Sequence, residues 1–184
     1  DYDHQRKLYS GKKISEFLKY RPNQQEIDYF YSYLYNFWKM FIDNFPGVKD
    51  YVDKCNDENA ASSYRNKNSG GLLYFRPIAL PQLIKAILET QLRMQMDLTE
   101  CMAKYAQVEM CISREPWVQL LWNVKAQTMI MKYKTNIFHM LIYLFSKDLL
   151  SQKEKYTLLK NYAEANDIDE LAADQRLSGL TSVL

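Results

Sequence analysis

The stretch GGLLYFRPIALPQLIKAIL, residues 70–88, decides how this sequence is read. Gly70 and Gly71 open it, LLYF follows, then come Arg76 and Pro77. From Pro81 onward, apolar residues recur at helical spacing through Leu83, Ile84, Ile87 and Leu88. Paired glycines ahead of an apolar run can free backbone amides to hold a phosphate, with Arg76 beside it, or can hinge a core strand into a helix. A phosphate loop also needs a lysine and a hydroxyl residue after its second glycine. Here Leu72 and Leu73 stand there instead, which favours the hinge. LLYF then reads as a short core strand, and Pro77 and Pro81 as an elbow. Pro81 suits the first turn of a helix, where its missing N–H has no intrahelical partner to lose. Arg76 either pins the elbow by bonding backbone carbonyls or points outward, and the first is favoured.

A strand needs a partner, and the chain offers one. In TMIMKYK, residues 128–134, Met129, Met131 and Tyr133 alternate with Ile130, Lys132 and Lys134. Alternation of period two is a strand signal. The expected β element is therefore 72–75 paired with 129–133.

Everything else in the pattern is helical. Asn23 and Glu26 have the spacing of a capping box, and Ile27, Phe30, Tyr31, Leu34, Trp38, Phe41 and Ile42 follow at three- and four-residue steps. FPG at 45–47 ends that helix, and a short turn of helix through Val48, Tyr51 and Val52 is expected next. Asp97 with Glu100 and Ser151 with Glu154 open two more helices. The first carries Leu98, Cys101, Met102, Tyr105, Val108 and Ile112, and the second runs to about Ala165. Between them, Trp117, Leu120 and Leu121 share a face of a short turn, and Ile137, Met140, Leu141, Leu144 and Phe145 make another helix. Only 5 Gly and 5 Pro in 184 residues argue against an all-β protein of many tight turns. The expected fold is mostly α: a single multi-helix domain with one small two-stranded β element. Its parts are an N-terminal basic segment with the aromatic helix (1–54), a loop (55–71), a helical core (72–165) and a polar tail (166–184).

Net charge is only +2, but it is unevenly placed. Residues 21–60 carry four basic and seven acidic side chains, a net of −3, whereas residues 61–150 carry eleven basic and six acidic, a net of +5. An anionic partner would dock on that middle segment. The three cysteines, Cys55, Cys101 and Cys111, are odd in number and form no CxxC pair. A reduced, cytoplasmic interior suits them better than a disulfide or zinc scaffold. No stretch reaches the ~18 uninterrupted apolar residues of a membrane span. The chain starts without Met on a charged segment, which fits a processed chain or a C-terminal fragment.

Catalytic chemistry has little to stand on. His4 and His139 are the only histidines. His139 lies within an apolar helix and reads as a packed, hydrogen-bonded residue, with nothing in the spacing to pair it with Cys101. Asp167, Asp169 and Glu170 read as solvated tail residues. No catalytic residue, metal ligand or cofactor site is expected. The basic residues Arg65, Lys67, Arg76, Lys125, Lys132 and Lys134 flank the loop, Trp122 and the expected strand. Cations that neutralise phosphates beside aromatics that can stack are what a nucleic-acid surface needs.

The motifs LLYFRPI at 72–78, PW at 116–117, LLWN at 120–123 and MIMKYK at 129–134 resemble the C-terminal helical region of DGQHR-motif proteins. That family includes the B component of bacterial DNA sulfur-modification (phosphorothioation) systems. The resemblance spans about residues 70–146. The DGQHR signature is absent, since the DYDHQR of the N-terminus has similar letters without the motif. The resemblance implies a bacterial DNA-binding protein that regulates modification genes, with DNA and other proteins of the system as partners. The rival expectations are a helical protein–protein module, in which the aromatic stripe of residues 27–42 docks a partner or a second copy, and the non-catalytic fragment of a larger enzyme.

Overall fold

The computed structural model describes Lys19 and residues 23–54, 57, 59–66 and 68–181. The chain divides into two compact units, Asp1–Asp43 and Asn44–Leu184. Among the described residues there are eight α-helices and one two-stranded antiparallel sheet, so the fold is mostly α.

Helix α1 spans Gln24–Asn44. It begins as the capping pattern predicts: Glu26 N donates to Asn23 Oδ1 and Asn23 N donates to Glu26 Oε2, each at 2.9 Å. Phe37 and Phe41 are its buried residues, whereas Ile27, Tyr31, Leu34 and Trp38 are exposed.

In the second unit, α2 (Pro46–Asp53) and α3 (Ala60–Tyr64) precede the elbow. The loop expected over 55–71 thus contains a short helix. Tyr51, Tyr64 and Phe75 form a ring cluster here, with Tyr64 and Phe75 stacked at 4.6 Å between centroids.

The core is built around α6 (Asn136–Phe145), which packs against α4 (Leu80–Met94), α7 (Gln152–Asn166) and α8 (Glu170–Thr181). Helix α5 (Leu98–Tyr105) lies on α4. Eight of the ten residues of α6 are buried, which is what apolar residues on every face of a helix demand. Polar ties lock the bundle where aromatic side chains carry hydroxyls inward. Tyr143 of α6 donates to Asp174 of α8 at 2.8 Å, and the buried Thr90 and Tyr105 hydroxyls meet at 2.8 Å.

Three further expectations change. The sheet exists, but its strands are β1 (Trp122–Asn123) and β2 (Thr128–Met129), with Trp122 opposite Met129 and Asn123 opposite Thr128. Residues 73–75 form a 3-10 turn, and Leu72 makes a lone antiparallel bridge with Cys111 instead. The reason is local. A four-residue loop, 124–127, brings β1 and β2 together, helped by Ala126 N donating to Asn123 Oδ1 and by Gln127 at φ 52°.

The second change is that α5 stops at Tyr105. Met110 O accepts from Leu73 N, and Ile112 N donates to Gly71 O, so this backbone serves the elbow and cannot continue a helix. Val108 and Ile112 are still buried.

The third concerns the segment expected to be a polar tail, which is α8. Asp167 turns the chain at φ 54°, a left-handed conformation that Asp tolerates. Asp169 Oδ1 then accepts from Ala172 N, and Ala173 and Leu177 are fully buried.

Candidate functional site

The elbow is the place where sequence-predicted residues meet. Gly70 and Gly71 take φ of 72° and 76°, which glycine adopts without strain. Each is also packed too closely for a side chain. A Cβ on Gly70 would stand 2.5 Å from Ile112 and 2.8 Å from Trp122, and one on Gly71 would stand 1.9 Å from the Tyr64 carbonyl oxygen. The glycines thus let two backbones approach. Leu72 N donates to Tyr64 O at 3.0 Å across this contact.

Arg76 holds the elbow from within. Its Nε donates to Gly70 O at 2.9 Å, and Nη2 donates to the same oxygen. The half-buried guanidinium lies 5.6 Å from the centre of the Trp122 ring, a cation–π contact that links the elbow to β1. Burial lowers its pKa, and repulsion from Arg65 adds to the effect. Arg65 is exposed, and its Nε donates to Phe75 O at 2.9 Å. Each of these arginines therefore braces a backbone carbonyl of the elbow, as favoured for Arg76.

The remaining predicted cations are placed differently. Lys125 is exposed in the turn between β1 and β2, and Lys134 is exposed in the turn between β2 and α6. Among the described residues neither has an ion-pair partner. Lys132 is exposed in the same turn as Lys134, but it pairs with Glu164 of α7 and lies 4.8 Å from the Tyr133 ring. Its bond to Glu164 pushes its pKa up to about 12. Lys67 lies outside the described residues. Trp122 is buried and so is not a platform for stacking a base. The structure groups Arg65, Arg76 and Trp122, keeps Lys132 with Lys134, and sets Lys125 at the hairpin turn.

Cys101 and His139 both sit within packed surroundings. Cys101 is fully buried, donates to Ile87 O at 3.5 Å, and has its thiol pushed up to about 11 by burial. Such a thiol stays protonated and is a poor nucleophile. His139 is half-buried with Nε2 3.6 Å from Glu154. Burial lowers its pKa, and the Glu154 charge opposes that shift. No group of three or more His, Cys, Asp or Glu is placed to hold a metal among the described residues. No described helix is long and apolar enough to cross a membrane.

Sequence reasoning missed one further cluster. Glu115 accepts from the Tyr162 hydroxyl and meets Arg176 at 3.4 Å, beside a cavity of about 140 Å³ lined also by Val108, Glu109, Pro116 and Leu144. Glu109 is likewise occupied, by Arg114 at 3.0 Å and by Cys111 N at 2.8 Å. Nothing in the local spacing of 109 and 115 marks this arrangement, because its other members come from α7 and α8.

Compared with known protein families, curated proteins and solved structures, the chain matches none.

Proposed function

We propose that this chain is a DNA-binding, regulatory component of a bacterial DNA sulfur-modification system. The observation that carries the DNA reading is that Lys125 and Lys134 are exposed on consecutive turns of the basic segment, without carboxylate partners among the described residues. Arg65 joins them as an exposed guanidinium with one nitrogen engaged. Lys132 adds to the surface when it leaves Glu164, since an exposed ion pair is a weak tether in water. Arg76 acts as a brace for the elbow and keeps the hairpin in position through Trp122. The setting, a modification locus with partner proteins, is supported by the motifs that resemble DGQHR-motif proteins.

Lysines at the tips of turns contact phosphates and fix orientation without reading bases. Affinity is then governed by counterion release. Three phosphate contacts through Arg65, Lys125 and Lys134 give a slope of log affinity against log salt of about −3 on duplex DNA. Fluorescence anisotropy across a salt series measures this slope. In the K125A/K134A double variant the slope falls to about −1. A wild-type affinity that ignores salt rules the reading out.

A further inference from the structure

Among the described residues, helix α1 carries an exposed apolar seam. Ile27, Tyr31, Leu34 and Trp38 follow one another at steps of four, three and four residues, which puts them on one stripe of the helix. They are 38%, 68%, 52% and 40% exposed, and Tyr35, 57% exposed, stacks on Tyr31 at the edge of the stripe. Single exposed apolar residues are ordinary, but a contiguous stripe is not. With about 200 Å² for each side chain, these five leave roughly 500 Å² uncovered. Two such faces bring together roughly 1,000 Å², about the lower bound of a specific interface.

We infer that this seam pairs with the same seam of a second copy of the chain, the two α1 helices running antiparallel. The heptad-like spacing sets the register. In the antiparallel pair Ile27 lies opposite Trp38 and Tyr31 opposite Leu34, so each bulky ring faces an aliphatic side chain. Charge selects the direction. Asp28 and Lys39 flank the same edge of the seam, near its two ends. Antiparallel pairing sets the same edge of the two helices together and brings Asp28 of each copy near Lys39 of the other, whereas parallel pairing sets that edge against the opposite edge of the partner and leaves the two charges apart. Asp28 is held in place on its own helix by Gln24 Nε2, which donates to Oδ1 at 2.8 Å. The pairing is independent of DNA, because none of the cations assigned to phosphate lies on α1.

Sedimentation velocity of the full chain without DNA, from about 1 to about 100 µM, tests this directly. The expected result is a reversible monomer–dimer equilibrium. Leu34→Lys places a charge in the seam and raises the dissociation midpoint roughly tenfold or more, with an unchanged circular dichroism spectrum. D28K alone and K39D alone each weaken the dimer, and the D28K/K39D double variant recovers it. A chain that stays monomeric across the range overturns the inference, as does a dimer that ignores Leu34→Lys. A double variant weaker than both single variants overturns the antiparallel arrangement.

Discussion

Helices α1 and α6 are both rich in aromatic and aliphatic residues, yet they have opposite fates. In α6 eight of ten residues are buried, while in the 21-residue α1 only Phe37 and Phe41 are. The difference is in arrangement more than in content. Apolar side chains surround α6, with His139 its one ionisable residue apart from the tyrosine. In α1, Glu26, Asp28, Lys39 and Asp43 interrupt the pattern, and many of its rings are tyrosines whose hydroxyls accept water. An apolar face on every side can be satisfied only by neighbours on every side. An apolar stripe flanked by charge can be satisfied by one neighbour, the role inferred above for a second copy.

Substitutions sharpen this contrast, and the largest effect falls in α6. Leu141 is fully buried there, so Leu141→Ala costs about 2–5 kcal/mol of stability in urea unfolding. Leu34→Ala removes the same atoms from an exposed position of α1 and changes monomer stability by no more than about 0.5 kcal/mol. Equal losses at the two sites would erase the distinction.

The next effect asks whether the unit built on α6 depends on its elbow. Gly71→Ala forces a Cβ against the Tyr64 carbonyl at a φ of 76°, and costs about 1–3 kcal/mol from the backbone alone, before the clash is relieved. Stability unaffected by this change would mean that the elbow is not part of the cooperative core.

The smallest effect is a pH dependence confined to α6. Burial holds the His139 pKa below its ordinary 6.5, with Lys85 and Arg93 adding to the depression and Glu154 opposing it. The unfolded chain therefore binds the proton more readily. Stability is full above pH 6.5 and declines as pH falls toward the lower folded pKa, where the loss levels off. His139→Gln flattens that part of a stability–pH curve measured by urea unfolding. A curve of the same slope in both proteins would contradict this assignment.

Much of this architecture is legible in the sequence, for identifiable reasons. The capping boxes at Asn23 and Ser151 form as their spacing predicts, because they are satisfied within one turn of chain. Asp97 caps its helix by accepting from Thr99 and Glu100 amides, although Glu100 itself turns to Lys104. What local pattern could not specify is pairing. The true partner of Thr128–Met129 is Trp122–Asn123, close in sequence, while Leu72 reaches Cys111 instead. Helix α8 was hidden because only Ala173 and Leu177 mark its buried side amid charged and polar neighbours. Of the predicted cations, Arg76 and Arg65 turned out to hold carbonyls of the elbow. That role depends on where Gly70 and Phe75 lie in space, and the spacing of basic residues carries no trace of it.

Amide hydrogen exchange at low and high protein concentration tests the contrast between α1 and α6 most directly. Strong protection of α6 is expected at both concentrations. Along residues 27–38 of α1, exchange is fast in dilute solution and slows as the concentration rises. Equal exchange of α1 at both concentrations, or protection of α1 matching that of α6 in dilute solution, would contradict the contrast.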